Sequence, residues 1–146
     1  MAHHIEAAIV PADIDRTAAA EWFPRVLNLP CGLCLLPLND ELADAMSEAA
    51  GDFSRESDQI ICDVRAVHGV LRSLTEGRRY ALIKTDYFGG VGDQAACVYE
   101  GDRVLMPART ERFGPINEAL LMLGVEPRGG RDPFDVVGLG QYRWFD

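Results

Sequence analysis

Cys31-Gly-Leu-Cys34 is the sharpest motif by pattern in the 146-residue chain. Two thiols with two residues between them can close a disulfide or supply half of a zinc site, and a helix starting behind the first would make it a nucleophilic thiolate. A zinc site needs a second half, and Cys62, His68 and Cys97 each stand singly. Two buried structural thiols are therefore the plainer reading, and no metal is expected. The chain has three histidines, and two of them, His3 and His4, are adjacent at the start of the sequence. Neighbours on a strand point to opposite faces, so they read as ordinary N-terminal residues rather than a ligand pair. That leaves His68 as the imidazole able to act as a general base, although a helical site beside Val67 and Leu71 more often holds a packed or surface histidine. No G-x-S-x-G nucleophile motif occurs.

A second candidate runs from Tyr80 to Leu105. Tyr80–Phe88 leads into Gly89-Gly-Val-Gly-Asp-Gln94, then Ala95–Tyr99, then Glu100-Gly-Asp-Arg-Val-Leu105. The pattern reads as strand, glycine-rich loop, strand, tight turn, strand. Glycine loses more backbone freedom on folding than any other residue, so such a loop either makes a special turn or admits a partner to its backbone. Gly90-Val-Gly-Asp-Gln-Ala95 fits G-x-G-x-x-A, but a dinucleotide loop must open a helix, and here a hairpin turn signal follows at once. Asp86, Tyr87, Gly89, Gly90, Gly92, Asp93 and Gln94 are the expected binding loop.

The third candidate is a surface. Asp40, Asp44 and Glu48 recur every four residues, which on a helix stacks three carboxylates along one edge. They belong to a chain of net charge -9, concentrated in its first half. That balance argues against a phosphate-neutralising nucleic-acid surface and disfavours anionic membranes. The stripe suits either a solvated face or a basic protein partner. No apolar run reaches the roughly 18 residues that cross a bilayer, and no basic signal-peptide start is present, so a cytoplasmic protein with reduced thiols is expected.

These residues need elements to hold them. Residues 4–10 suit a first strand closed by Pro11. Asp13 or Asp15 can cap a helix carrying Ala19, Trp22, Phe23, Val26 and Leu27 on one stripe, kinked or divided at Pro24. Residues 31–38 form a short strand or a buried connector. Asn39 or Asp40 opens a helix that Gly51 ends, and a further helix is expected from about Asp63 to Thr75 with Gly77 as its stop. Gly114-Pro115 through Gly124 is the clearest helix, with proline at its start and glycine past its end. Asp132-Pro133 opens a short turn before a tail whose Phe134, Tyr142, Trp144 and Phe145 should dock on the domain or on a second copy. One α+β domain follows, an antiparallel sheet with a central hairpin around residues 80–105 packed by about four helices.

Two resemblances bear on these residues. Cys31-Gly-Leu-Cys34 with the later Val98–Leu105 hairpin resembles thioredoxin-like redox proteins, but no strand leads straight into Cys31, no tryptophan precedes it, and Pro37 blocks a long helix. The Asp86–Gln94 loop, Ile116-Asn-Glu-Ala-Leu120 and Phe134-Asp-Val-Val-Gly-Leu-Gly-Gln-Tyr-Arg143 together resemble a small bacterial family with no assigned activity. That resemblance implies one domain and brings no catalytic residue and no cofactor. The expected function is a non-catalytic interaction module, an acidic inhibitor or immunity-like protein covering a basic partner. The alternative is a thiol-dependent redox or small-molecule-binding protein.

Overall fold

The computed structural model describes residues 2–54 and 64–145. Six strands form one antiparallel sheet in the order β2-β3-β1-β4-β5-β6. They are β1 (Ala2–Pro11), β2 (Leu27–Leu29), β3 (Leu33–Pro37), β4 (Arg79–Phe88), β5 (Val91–Glu100) and β6 (Arg103–Glu111). Five helices accompany them: α1 (Arg16–Ala20), α2 (Asp40–Ala50), α3 (Arg65–Thr75), α4 (Pro115–Met122) and α5 (Pro133–Val136). The α+β expectation holds, with both faces of the sheet covered.

The central strands explain why. Ala7, Ala8, Ile9 and Val10 are all fully buried, as are Ala81, Leu82 and Ile83 on the neighbouring strand. Consecutive buried residues point to opposite faces, so a continuous apolar run demands a layer on each side. On one side Ala8, Val10, Cys34, Leu82 and Cys97 pack with α1, α2 and α3. On the other Ile5, Ala7, Ile9, Ile83 and Val98 pack with α4 and the C-terminal segment.

Local chemistry sets most element ends as expected. Asp15 Oδ1 accepts from Thr17 N and Ala18 N, and Asn39 Oδ1 accepts from Leu42 N. Gly51 ends α2 in the left-handed region, and Glu76 followed by Gly77 does so for α3. Asp63, the expected start of α3, lies outside the described residues. Asp13 instead binds Arg78 at 2.6 Å.

Two expectations change. The stripe Trp22, Phe23, Val26, Leu27 is not helical, because α1 stops at Ala20 and Leu27 already belongs to β2. Phe23 enters one core and Leu27 packs against the other, so the spacing resembled a helix without sharing a face. The six-residue glycine loop is a two-residue turn: Phe88 pairs with Val91, and Gly89 and Gly90 carry φ of 60° and 79° between them. Adjacent left-handed residues give the turn whose twist matches the strands it joins.

Residues 31–38 resolve as a turn and then β3, whose register on β1 runs from Ala7↔Pro37 to Pro11↔Leu33. β1 therefore extends past β3 at its start. The C-terminal segment uses that space: His4 N donates to Arg143 O at 2.6 Å, and Trp144 bridges to His4. Phe134, Tyr142 and Phe145 pack against the domain's own core, and Arg25 lies 5.4 Å over the Phe145 ring. Trp144 stays 61% exposed.

Candidate functional site

Pairing without a long loop divides the expected binding residues between two faces. Tyr87 and Gln94 point to the α4 side, while Asp86 and Asp93 lie on the opposite side, exposed. Gly92 lies opposite Tyr87 with φ 147°, and a Cβ there would stand 1.9 Å from Asp86 O. Its lack of a side chain is what lets the two strands approach.

Tyr87, Gly90 and Gln94 line a cleft of about 650 Å³ with His3, Phe113, Gly114, Asn117, Asp132 and Phe134. The strand ends supply its floor, the start of α4 one wall and the start of α5 another. Phe113 is 67% exposed at the rim and stacks on Tyr87 with centroids 6.2 Å apart.

Each polar group in the cleft has a defined partner. Gln94 Oε1 accepts from Ile116 N at 2.8 Å, occupying one of the orphan donors at the start of α4. Its Nε2 donates to the Tyr87 hydroxyl at 3.1 Å, and that hydroxyl donates to Arg112 O. Burial pushes the Tyr87 phenol above its ordinary pKa, keeping it protonated as the donor to Arg112 O. Asn117 joins α4 to α5: its Oδ1 accepts from Phe134 N at 2.8 Å and its Nδ2 donates to Asp132 Oδ2 at 3.0 Å. Asp132 Oδ1 in turn caps α5 through Asp135 N.

His3 closes the far side. Its Nε2 lies 3.1 Å from Leu139 O, a pure acceptor, so Nε2 carries the proton and Nδ1 accepts from the Thr85 hydroxyl. Desolvation lowers its pKa, and Arg143 and His4 add to that, against the opposing effect of the Leu139 bond. His3 is thus a neutral imidazole held in one tautomer. Reading it as an unremarkable terminal residue missed this. The available signal was alternation, which sets His3 on the same face as Ile5. Asn117 and Phe113 carried no comparable signal, because they join the cleft only once α4 docks on β5.

The opposite face of the same sheet end holds a concavity of about 430 Å³ lined by His4, Glu6, Asp40, Lys84, Asp86 and Phe145 among others. His4 Nδ1 stands 2.9 Å from Asp86 Oδ1. Asp40 thus joins Asp86, so two regions expected to be separate share one surface. Asp40, Asp44 and Glu48 are all exposed along α2, and no basic side chain among the described residues pairs with them.

The two motif cysteines differ in setting. Cys31 is exposed in the turn between β2 and β3 with φ 68°, whereas Cys34 is buried in β3. Burial pushes the Cys34 thiol up despite the opposing effect of Arg16, the reverse of a reactive thiolate. No helix starts behind Cys31. Cys62 lies outside the described residues. Among the described residues, no three His, Cys, Asp or Glu side chains gather as a metal site. No helix among them is long and apolar enough to cross a membrane. His68 lies on α3, on the other side of the sheet from the cleft, with Nδ1 2.9 Å from the Tyr80 hydroxyl. No family model matches the chain, and neither a curated protein nor a solved structure does.

Proposed function

We propose that the chain is a binding domain whose cleft takes a small apolar or aromatic ligand that is neutral or cationic. One observation carries this reading: Tyr87, Phe113 and Phe134 give aromatic walls to an open cleft of about 650 Å³ in which Asp132 is the single carboxylate among the described lining residues. That volume is within the usual range for ligand sites, and no cationic residue lines the cleft opposite Asp132, Arg112 lying outside it over the Phe113 ring at 5.4 Å. The polar groups already hold the walls together, which favours binding over proton transfer. Thermal-shift measurements with matched aromatic amines and aromatic carboxylates test this. Amines should raise the melting temperature in a concentration-dependent way, and Phe113→Ala, at an exposed rim position, should weaken the effect without unfolding the protein. Equal stabilisation by the carboxylates would rule the reading out.

A basic protein partner is a second reading, supported by the placement of Asp40 and Asp86 in one concavity, with Asp44 and Glu48 exposed further along α2. Complementary charge speeds association, so reversing Asp40, Asp44 and Glu48 should slow capture of any basic partner at low salt. Unchanged association would remove the stripe from consideration. A thiol-dependent function draws less support, given the burial of Cys34. Self-association through the aromatic tail would rest on Trp144, the tail aromatic left largely exposed.

A further inference from the structure

The α3 side of the sheet holds a smaller cavity, about 200 Å³, that the cleft does not use. Arg65, His68, Gly69 and Arg72 line it from α3, with Tyr80, Tyr99 and the Gly101-Asp102 turn facing them. The spacing follows from the helix. Positions 65, 68, 69 and 72 recur at three and four residues, so they form one face two turns long, a rise of about 10 Å. The far wall is aromatic: the His68 ring stacks on Tyr99 at 4.1 Å and 27°, and Tyr99 stacks on Tyr80 at 5.9 Å.

Two features of this face are not required by the fold. Arg72 forms no ion pair among the described residues in a chain of net charge -9, and Arg65 has only Asp52 at 4.0 Å. Gly69 sits in the middle of α3, where glycine costs about 1 kcal/mol relative to alanine. Neither packing nor backbone geometry asks for it, since an added Cβ would meet no atom within 4 Å and its φ lies outside the left-handed range. The glycine leaves open space on the helix face between positions 65 and 72, whose arginines both line the cavity. Guanidinium forks match phosphate oxygens in geometry and charge. The opposing carboxylates are Asp102 at the mouth and Asp52 beside Arg65.

We propose that this cavity binds a small phosphoryl dianion between Arg65 and Arg72, over the gap left by Gly69. The site is separate from the cleft and independent of what occupies it. The test is an amide chemical-shift titration of the full chain with inorganic phosphate, against sodium chloride at matched ionic strength. Saturable shifts confined to residues 65–72 and 99–102 are expected. Arg72→Gln should weaken binding about tenfold or more, the loss of a charge-assisted contact. Gly69→Ala should raise thermal stability while weakening phosphate binding, a combination that a purely structural role would not produce. A parallel titration with glycerol 3-phosphate identifies the source: tighter binding assigns the site to a phosphate ester, and equal binding to the free ion. Shifts that chloride reproduces, or unchanged affinity in Arg72→Gln or Gly69→Ala, would overturn the proposal.

Discussion

The Thr85 hydroxyl joins two residues of β1: it accepts from Ile5 N at 3.0 Å and donates to His3 Nδ1 at 2.6 Å. Protonating His3 would set a second N–H against that hydroxyl proton and charge a half-buried ring. Its lowered pKa, due first to desolvation, reflects this. The unfolded chain takes up the proton near the ordinary 6.5, while the folded chain resists to lower pH. Between those values the unfolded state holds more protons, so stability is complete above 6.5 and is lost as pH falls through the folded value. Urea unfolding at a series of pH values should show this loss, and His3→Gln should flatten it. An equal slope in the variant would assign the acid sensitivity elsewhere.

Gly92 and Asp86 supply a second test. With Asp86 O 1.9 Å from the site of a Cβ, Gly92→Ala must push the strands apart or break the pairing at Tyr87. A cost of about 2–4 kcal/mol is expected. Gly89→Ala, at φ 60° with open space around it, should cost only the left-handed penalty of about 1 kcal/mol. Chemical denaturation of both variants checks the ranking, and equal costs would refute the close-approach account.

Alkylation should separate the two motif thiols. Cys31 is exposed and should react in the folded protein, whereas buried Cys34 should react only on unfolding. Because Cys31 holds φ 68°, Cys31→Gly should also stabilise the chain by about 0.5–1 kcal/mol. Peptide mapping after brief labelling reads the first effect and urea denaturation the second. Labelling of Cys34 as fast as Cys31 would contradict the burial argument.

Elements with their own punctuation were legible in the sequence. The caps Asp15 and Asn39, the proline at the start of α4 and the glycines ending α2 and α3 act within a few residues, so the sequence near each is sufficient. What failed depended on distant partners. Phe23 and Leu27 shared a helical spacing yet serve opposite cores, a fact decided by where the sheet passes between them. Gly92 was counted with a loop because its need arises across the ladder, from Asp86. Of the cleft, Tyr87, Gly90 and Gln94 were legible from the hairpin. His3, Asn117 and Asp132 were not, since their meeting requires β1, α4 and α5 to be packed together.

The sheet divides two cores, yet strand alternation gives Ala7 and Ile9 to one and Ala8 and Val10 to the other. Loss of β1 opens both layers at once, and β1 is held by β4, paired to it by bonds such as Ile5 N to the Thr85 side chain, 80 residues apart. Unfolding should therefore be all-or-none, and folding slow for a chain of this size, because closing so long a loop must precede the contacts that reward it. The slowest-exchanging amides should lie in β1 and β4.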